Sequence, residues 1–257
     1  MEAAGPGMNI SRRDFLGGAT GCAATLWSFH PIGLAARVAE PGGTLDRALL
    51  DLNSRCVLPE SLQGYQAALL GKHNLLSETD LNSRRICQIA IVPSFGSMAP
   101  ATASALTDLL EAGTHVLLES GAGFLSPAEF TAHQRMLQRH FGIAVGPPVD
   151  LWQGNPADDA LPERHPGRHP NKKRDIHPSV PYVSYVWPRE TRVRDFSRAI
   201  PVSASDGDVI GNVGALPVAL KRRFGPGTLI FLGSPLGPAL RAGDPEALSW
   251  LRLVTAL

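Results

Sequence analysis

An alternation of strand and helix signals in the middle of the chain constrains the fold most. Residues 86–92, Ile-Cys-Gln-Ile-Ala-Ile-Val, form a short run rich in β-branched side chains. It ends in Pro93-Ser94-Phe95-Gly96, as a buried strand entering a loop does. Residues 101–112 have helical spacing and stop at Gly113, a residue that tolerates left-handed backbone. Residues 114–118 are apolar again and feed a glycine-rich turn, Glu119-Ser120-Gly121-Ala122-Gly123. Ser126-Pro127-Ala128-Glu129 then has the form of a helix start: a hydroxyl cap, proline in the first turn, and a glutamate placed to return a bond. That helix is expected to reach His140 and end at Gly142, with a strand at 143–145. Parallel βαβ units have this order and these lengths, close right-handed and bury their sheet between helix layers. The expected fold class is therefore α/β, with a doubly wound, mainly parallel sheet.

The flanks extend this frame. Thr44 is placed to cap a helix with Leu45, Ala48, Leu49 and Leu52 on one face, and a second helix is expected from Pro59 towards Leu70. In the C-terminal half, short runs at 180–187, 199–202, 209–212, 216–222 and 228–232 predict additional antiparallel strands. Asp244-Pro245 opens a last helix whose Leu248, Leu251 and Val254 share a face. Between the halves, residues 153–179 lose all periodicity and are expected to form a long irregular loop. A net charge of +1 in 257 residues gives no case for nucleic acid as a partner, because displacing counterions from phosphates needs a basic face.

The N-terminus carries a separate signal. Ser11-Arg12-Arg13-Asp14-Phe15-Leu16 matches the twin-arginine export consensus, defined here by Arg12, Arg13, Phe15 and Leu16. The following residues to Leu34 are only mildly apolar, diluted by Gly17, Gly18, Gly21, Ser28 and His30, which suits a leader better than a membrane span. Cleavage is expected after Ala35. This divides the chain into a leader at 1–35, a linker at 36–43 and one α/β domain at 44–257. The twin-arginine translocase is then a partner during export, and the mature domain is periplasmic with no stable transmembrane segment. Two alternatives stay open: translation from Met8, and a leader retained as an anchor. In an oxidising compartment Cys56 and Cys87 can pair, closing a loop that removes about 3–4 kcal/mol of unfolded-state entropy. Cys87 reads equally well as a buried free thiol within its apolar run.

Two stretches carry a family resemblance. In the first, Leu109-Leu110-Glu111-Ala112-Gly113 ends a helix that leads into His115-Val116-Leu117-Leu118. The second is Arg223-Phe224-Gly225-Pro226-Gly227-Thr228-Leu229-Ile230-Phe231-Leu232-Gly233-Ser234-Pro235. Together they resemble the class I glutamine amidotransferase-like superfamily, in its trehalose-utilisation-protein and β-galactosidase-trimerisation branches. The resemblance implies a flavodoxin-like core and carbohydrate as the substrate class. Active members of that superfamily hold a cysteine on a strained strand-to-helix elbow. This sequence has no such cysteine, since Cys87 falls within a strand and Cys56 near a helix end, so glutaminase chemistry is not expected.

The remaining candidates are weighed by residue type. Ser120 follows a strand and precedes two glycines, with His133 or His115 as a base, but Leu118 and Ala122 stand where a G-x-S-x-G elbow needs glycine. Glu119, Ser120, Gly121 and Gly123 instead make a turn whose backbone N–H groups suit a polar ligand. Tyr185 and Trp187 share one side of a predicted strand, where they either pack in the core or stack on a sugar ring. His165, His169 and His177 have the chemistry of metal ligands but match no tight template, and the nearby Arg164, Arg168, Lys172, Lys173 and Arg174 read as a solvated basic run. No cofactor is expected. The leading reading is an exported amidotransferase-like domain without glutaminase activity that binds a small polar ligand, a glycan or a protein partner. Its rivals are a hydrolase with a non-cysteine site near Glu119 and Ser120, and a metal-binding protein using the histidine-rich loop.

Overall fold

Leu45–Asp51, expected as a helix, is a strand (β1) in the computed structural model, which describes residues 45–52, 58–71, 73–81, 87–121, 123–151, 181–195 and 198–256. β1 is an interior strand, so Ala48 and Leu50 enter one core while Leu49 enters the other. A segment buried on both faces loses the polar alternation that separates strand from helix, which is why its periodicity misled.

β1 lies between β2 (Asn74–Ser77) and β3 (Cys87–Phe95), and β3 pairs in turn with β4 (His115–Ser120). All these pairings are parallel, and Ala90 lies beside Val116. The far side of β4 pairs, again in parallel, with β11 (Gly227–Leu232), placing Leu229 beside Val116. Beyond β11 the direction alternates. β10 (Leu216–Phe224), β9 (Asp208–Val213), β6 (Tyr182–Tyr185) and β7 (Thr191–Arg194) complete a mixed sheet of nine strands through antiparallel pairs. A separate pair joins β5 (Val149–Asp150) to β8 (Arg198–Ala199). The expected strand at 143–145 is reduced to a single bridge from Val145 to Val202.

Side-chain alternation along the central strands sorts the core into two halves. Ala90, Val92, Val116 and Leu118 meet α3 (Pro100–Glu111) and α4 (Pro127–Met136) through Leu106, Leu110 and Phe130. Ile89, Ile91, Leu117 and Ile230 face the other way, towards α1 (Pro59–Leu69), α5 (Gly237–Arg241) and α6 (Pro245–Val254), where Tyr65, Trp250 and Leu251 are buried. A four-residue helix, α2 (Glu78–Leu81), follows β2.

The helix start read at Ser126 forms with a small change. The Ser126 hydroxyl accepts from the Glu129 amide at 3.2 Å, while the Glu129 carboxylate accepts from the Leu125 amide at 2.7 Å, one residue before the cap. α4 then widens into a π-helical turn, Leu137–Phe141, and stops at Gly142 with φ 62°. Arg222 closes that end by donating to the Gly142 carbonyl at 2.8 Å. The loop expected at 153–179 and the leader and linker expected at 1–43 lie outside the described residues.

Candidate active site at the ends of the parallel strands

β4 ends in two adjacent polar residues, Glu119 and Ser120, with relative exposures of 0% and 1%. Successive side chains of a strand point to opposite faces of its sheet. Glu119 therefore turns to the α1 and α5 side with Leu117, and Ser120 to the α4 side with Leu118. The sheet separates the two residues that the sequence suggested as one site.

On the first side, the Glu119 carboxylate is enclosed by donors. Ser61 and Tyr65, one helical turn apart on α1, donate their hydroxyls, Ser61 to Oε1 and Tyr65 to Oε2 at 2.7 Å. The backbone N–H groups of Leu236 and Gly237, at the start of α5, donate to Oε2 at 3.0 and 3.1 Å. α1 and α5 approach closely enough for this because both contact positions are glycine: a Cβ on Gly64 would overlap the Gly237 carbonyl, and one on Gly237 would overlap Ser61. Burial pushes the Glu119 carboxyl above the usual carboxylate range, against the pull of Ser61, Tyr65 and the two backbone donors. Burial first, then the charge of Glu119, pushes the Tyr65 phenol well up, so it stays a donor. A second buried carboxylate, Asp195, accepts from Ser234 at 2.9 Å just beyond the end of β11.

On the second side, Ser120 Oγ and His133 Nε2 lie 2.9 Å apart. His133 is fully buried among Phe95, Phe124 and Phe130, whose ring centres are 5.1, 4.9 and 6.3 Å from its own. Burial lowers its pKa to about 4, opposed only by the Gly96 backbone, so the imidazole is neutral at pH 7. Nδ1 nevertheless makes no hydrogen bond of acceptable geometry. A neutral histidine against a serine hydroxyl has the form of a nucleophile and its base. Acyl transfer also needs donors for an oxyanion, and the N–H after Ser120, that of Gly121, is already donated to the Phe95 carbonyl at 2.7 Å.

The other sequence candidates are scattered. His115 begins β4, roughly 17 Å along the strand from Ser120 at 3.3 Å per residue, too far to serve as its base. Gly121 is buried and Gly123 exposed. Tyr185 is 2% exposed, its ring centre 4.7 Å from that of Trp250, so it packs in the core and presents no face for a sugar. Trp187 is partly exposed, with Lys221 Nζ 5.0 Å from its ring centre, and its carbonyl accepts from Trp250 Nε1 at 2.8 Å. Cys87 is a free buried thiol whose pKa burial raises to about 11, and Cys56, the partner expected for it, lies outside the described residues. His165, His169, His177, Arg12, Arg13, Phe15 and Leu16 also lie outside them. Among the described residues no group of three or more His, Cys, Asp or Glu could hold a metal ion, and no helix is long and apolar enough to cross a membrane.

Sequence reading missed Ser61, Tyr65, Ser94, Asp195 and Ser234. Only the i, i+4 spacing of Ser61 and Tyr65 hinted at a shared target. Ser94 sits at the end of β3 with φ 41° and accepts from the Leu58 amide at 3.2 Å, a buried left-handed residue that local sequence does not announce.

No protein-family model and no curated protein matches the chain. Solved structures share its fold at low identity. An exo-β-1,4-mannosidase from Opitutaceae bacterium strain TAV5 aligns with a TM-score of 0.50 and 11% identity, covering 82% of this chain and 35% of its own. The β-galactosidase of Rahnella sp. R3 aligns with a TM-score of 0.53 and 10% identity, covering 82% and 31%. A cytoplasmic protein of Salmonella typhimurium LT2 aligns over 81% of this chain and 95% of its own, with a TM-score of 0.50 and 10% identity. The chain spans about a third of the length of the two glycosidases.

Proposed function

We propose that this chain is an exported, carbohydrate-associated binding domain built on a doubly wound, amidotransferase-like core and lacking glutaminase chemistry. The observation that carries the reading is the state of Glu119. At the end of a central parallel strand, where ligands of open α/β sheets usually bind, this carboxylate is fully buried and held by two hydroxyls and two backbone N–H groups. A carboxylate so enclosed braces three elements, with three donors on Oε2 and one on Oε1, and is committed to structure rather than to substrate. The glycosidase neighbours, and the resemblance of residues 103–120 and 221–235 to the β-galactosidase-trimerisation branch, support a carbohydrate context. The exposed segment between β4 and α4, at Gly123 and Leu125, is the surface assigned to a glycan or protein partner.

The Ser120–His133 contact at 2.9 Å favours hydrolysis as a second reading. The two are separated by treating the full chain with a fluorophosphonate probe and γ-glutamyl amides, alongside a thermal-shift panel of oligosaccharides. The binding reading expects no adduct, no turnover and a raised melting temperature with at least one sugar, since a ligand at 100 times its Kd adds about 2.7 kcal/mol. An adduct at Ser120 that disappears in Ser120→Ala would establish the hydrolase instead. Export is tested by replacing both Arg12 and Arg13 with Lys in a reporter fusion. Loss of periplasmic reporter supports the twin-arginine route, and undiminished export rejects it.

A further inference from the structure

We propose that a cavity at the opposite end of the sheet, between the C-terminal ends of α1 and α6, binds a small monocarboxylate with a short apolar body. The proposal does not rest on the reading of Glu119. The cavity holds about 320 Å³, at the small end of the range for ligand pockets, roughly 300–1,000 Å³.

Its floor is apolar and its rim is cationic. Leu69 and Leu251 are 4% and 1% exposed and line it from α1 and α6. Arg47 comes from β1, where pairing with Ile89 sets it at the start of the parallel strands, on the face it shares with Leu49 and α1. One of its N–H groups donates to the Thr255 carbonyl at 3.3 Å. A guanidinium has five N–H donors in a fork that matches a carboxylate. Arg252, exposed in the last turn of α6, adds a second guanidinium. Among the described residues no carboxylate lines the cavity and neither arginine is ion-paired.

Magnitudes select a monoanion. The C-terminal ends of α1 and α6 each act as about −0.5 charge. Set against two arginines, they leave a site of about +1 over an apolar floor. A dianion would exceed that charge and a neutral sugar would leave it unanswered. Leu70 supports an apolar ligand body: it lines the cavity at 75% exposure, and its φ of 46° is a conformation in which glycine would be less strained. A large apolar side chain kept at such a position gains its contacts when something lies against it.

The test is calorimetric titration of the full chain with octanoate, with octanol as the neutral control, followed by anionic phosphatidylglycerol vesicles. Octanoate is expected to bind at least tenfold more tightly than octanol, and Arg252→Met to weaken it at least tenfold. Arg47→Met is expected to do the same. If Arg47→Met does not fold, the exposed Arg252 still decides the matter. Equal affinity for octanol, no binding of octanoate, unchanged affinity in Arg252→Met, or binding to vesicles alone would each overturn the proposal.

Discussion

The Tyr65 hydroxyl on α1 lies 2.7 Å from Oε2 of Glu119 at the end of β4, and the same oxygen receives the first amides of α5. One carboxylate thus ties a helix, a strand and the turn after β11. Glu119→Ala would leave four buried donors unpaired and is expected to cost about 3–5 kcal/mol, since each buried donor left without an acceptor carries a penalty of about 1–3 kcal/mol and some regain water or a new partner. Glu119→Gln is expected to cost less, about 1–2 kcal/mol, because its amide oxygen can keep the Oε2 position while Ser61 becomes the acceptor. Urea denaturation of the two variants distinguishes these outcomes, and equal losses would mean the carboxylate is not the brace.

Gly64→Ala should act through the same brace without touching a polar atom. The added methyl would overlap the Gly237 carbonyl, so α1 must move away from α5 and carry Ser61 and Tyr65 with it. Overpacking at a rigid backbone contact costs roughly 1–3 kcal/mol, occasionally more. A double-mutant cycle with Tyr65→Phe is expected to show coupling, because either change weakens the hold on Glu119. Simple additivity would separate the helix contact from the lock.

The central βαβ pattern was legible because β3, α3, β4 and α4 each carry their own punctuation, at Gly113, Ser126 and Gly142. β1 was not, since burial on both faces erased its alternation. Glu119 and Ser120 were visible as polar residues after an apolar run, but their division between opposite faces depends on strand register. The partners of Glu119 lie 54 to 118 positions away in sequence, and no local signal links them. Tyr185 alternates as a strand residue whether it meets a sugar or a core, and only the packing of α6 decides for the core.

Cys87 offers a chemical check on the core. Its thiol is 3% exposed and raised to about 11, so a maleimide at pH 7 should leave it unlabelled in the native chain and modify it in guanidinium chloride. Non-reducing peptide mapping is expected to recover Cys87 as a thiol. A Cys56–Cys87 peptide would contradict the buried free thiol.

Acid should loosen the fold through His133. Its folded pKa is about 4 against an ordinary 6.5, so the native state binds its proton more weakly than the unfolded chain. That stability is fully present above pH 6.5 and is lost as pH falls towards 4, by about 3 kcal/mol at 1.36 kcal/mol per unit. Glu119, whose carboxyl is raised, works in the opposite sense: its ionised form is disfavoured in the fold, so its protonation on acidification relieves part of the loss. His133→Phe keeps an aromatic ring among Phe95, Phe124 and Phe130 and removes the titration, at the cost of the Ser120 contact. Unfolding free energies at pH 7.5 and pH 5 should therefore converge in the variant while the parent loses stability at the lower pH. Parallel losses in both would place the acid sensitivity elsewhere.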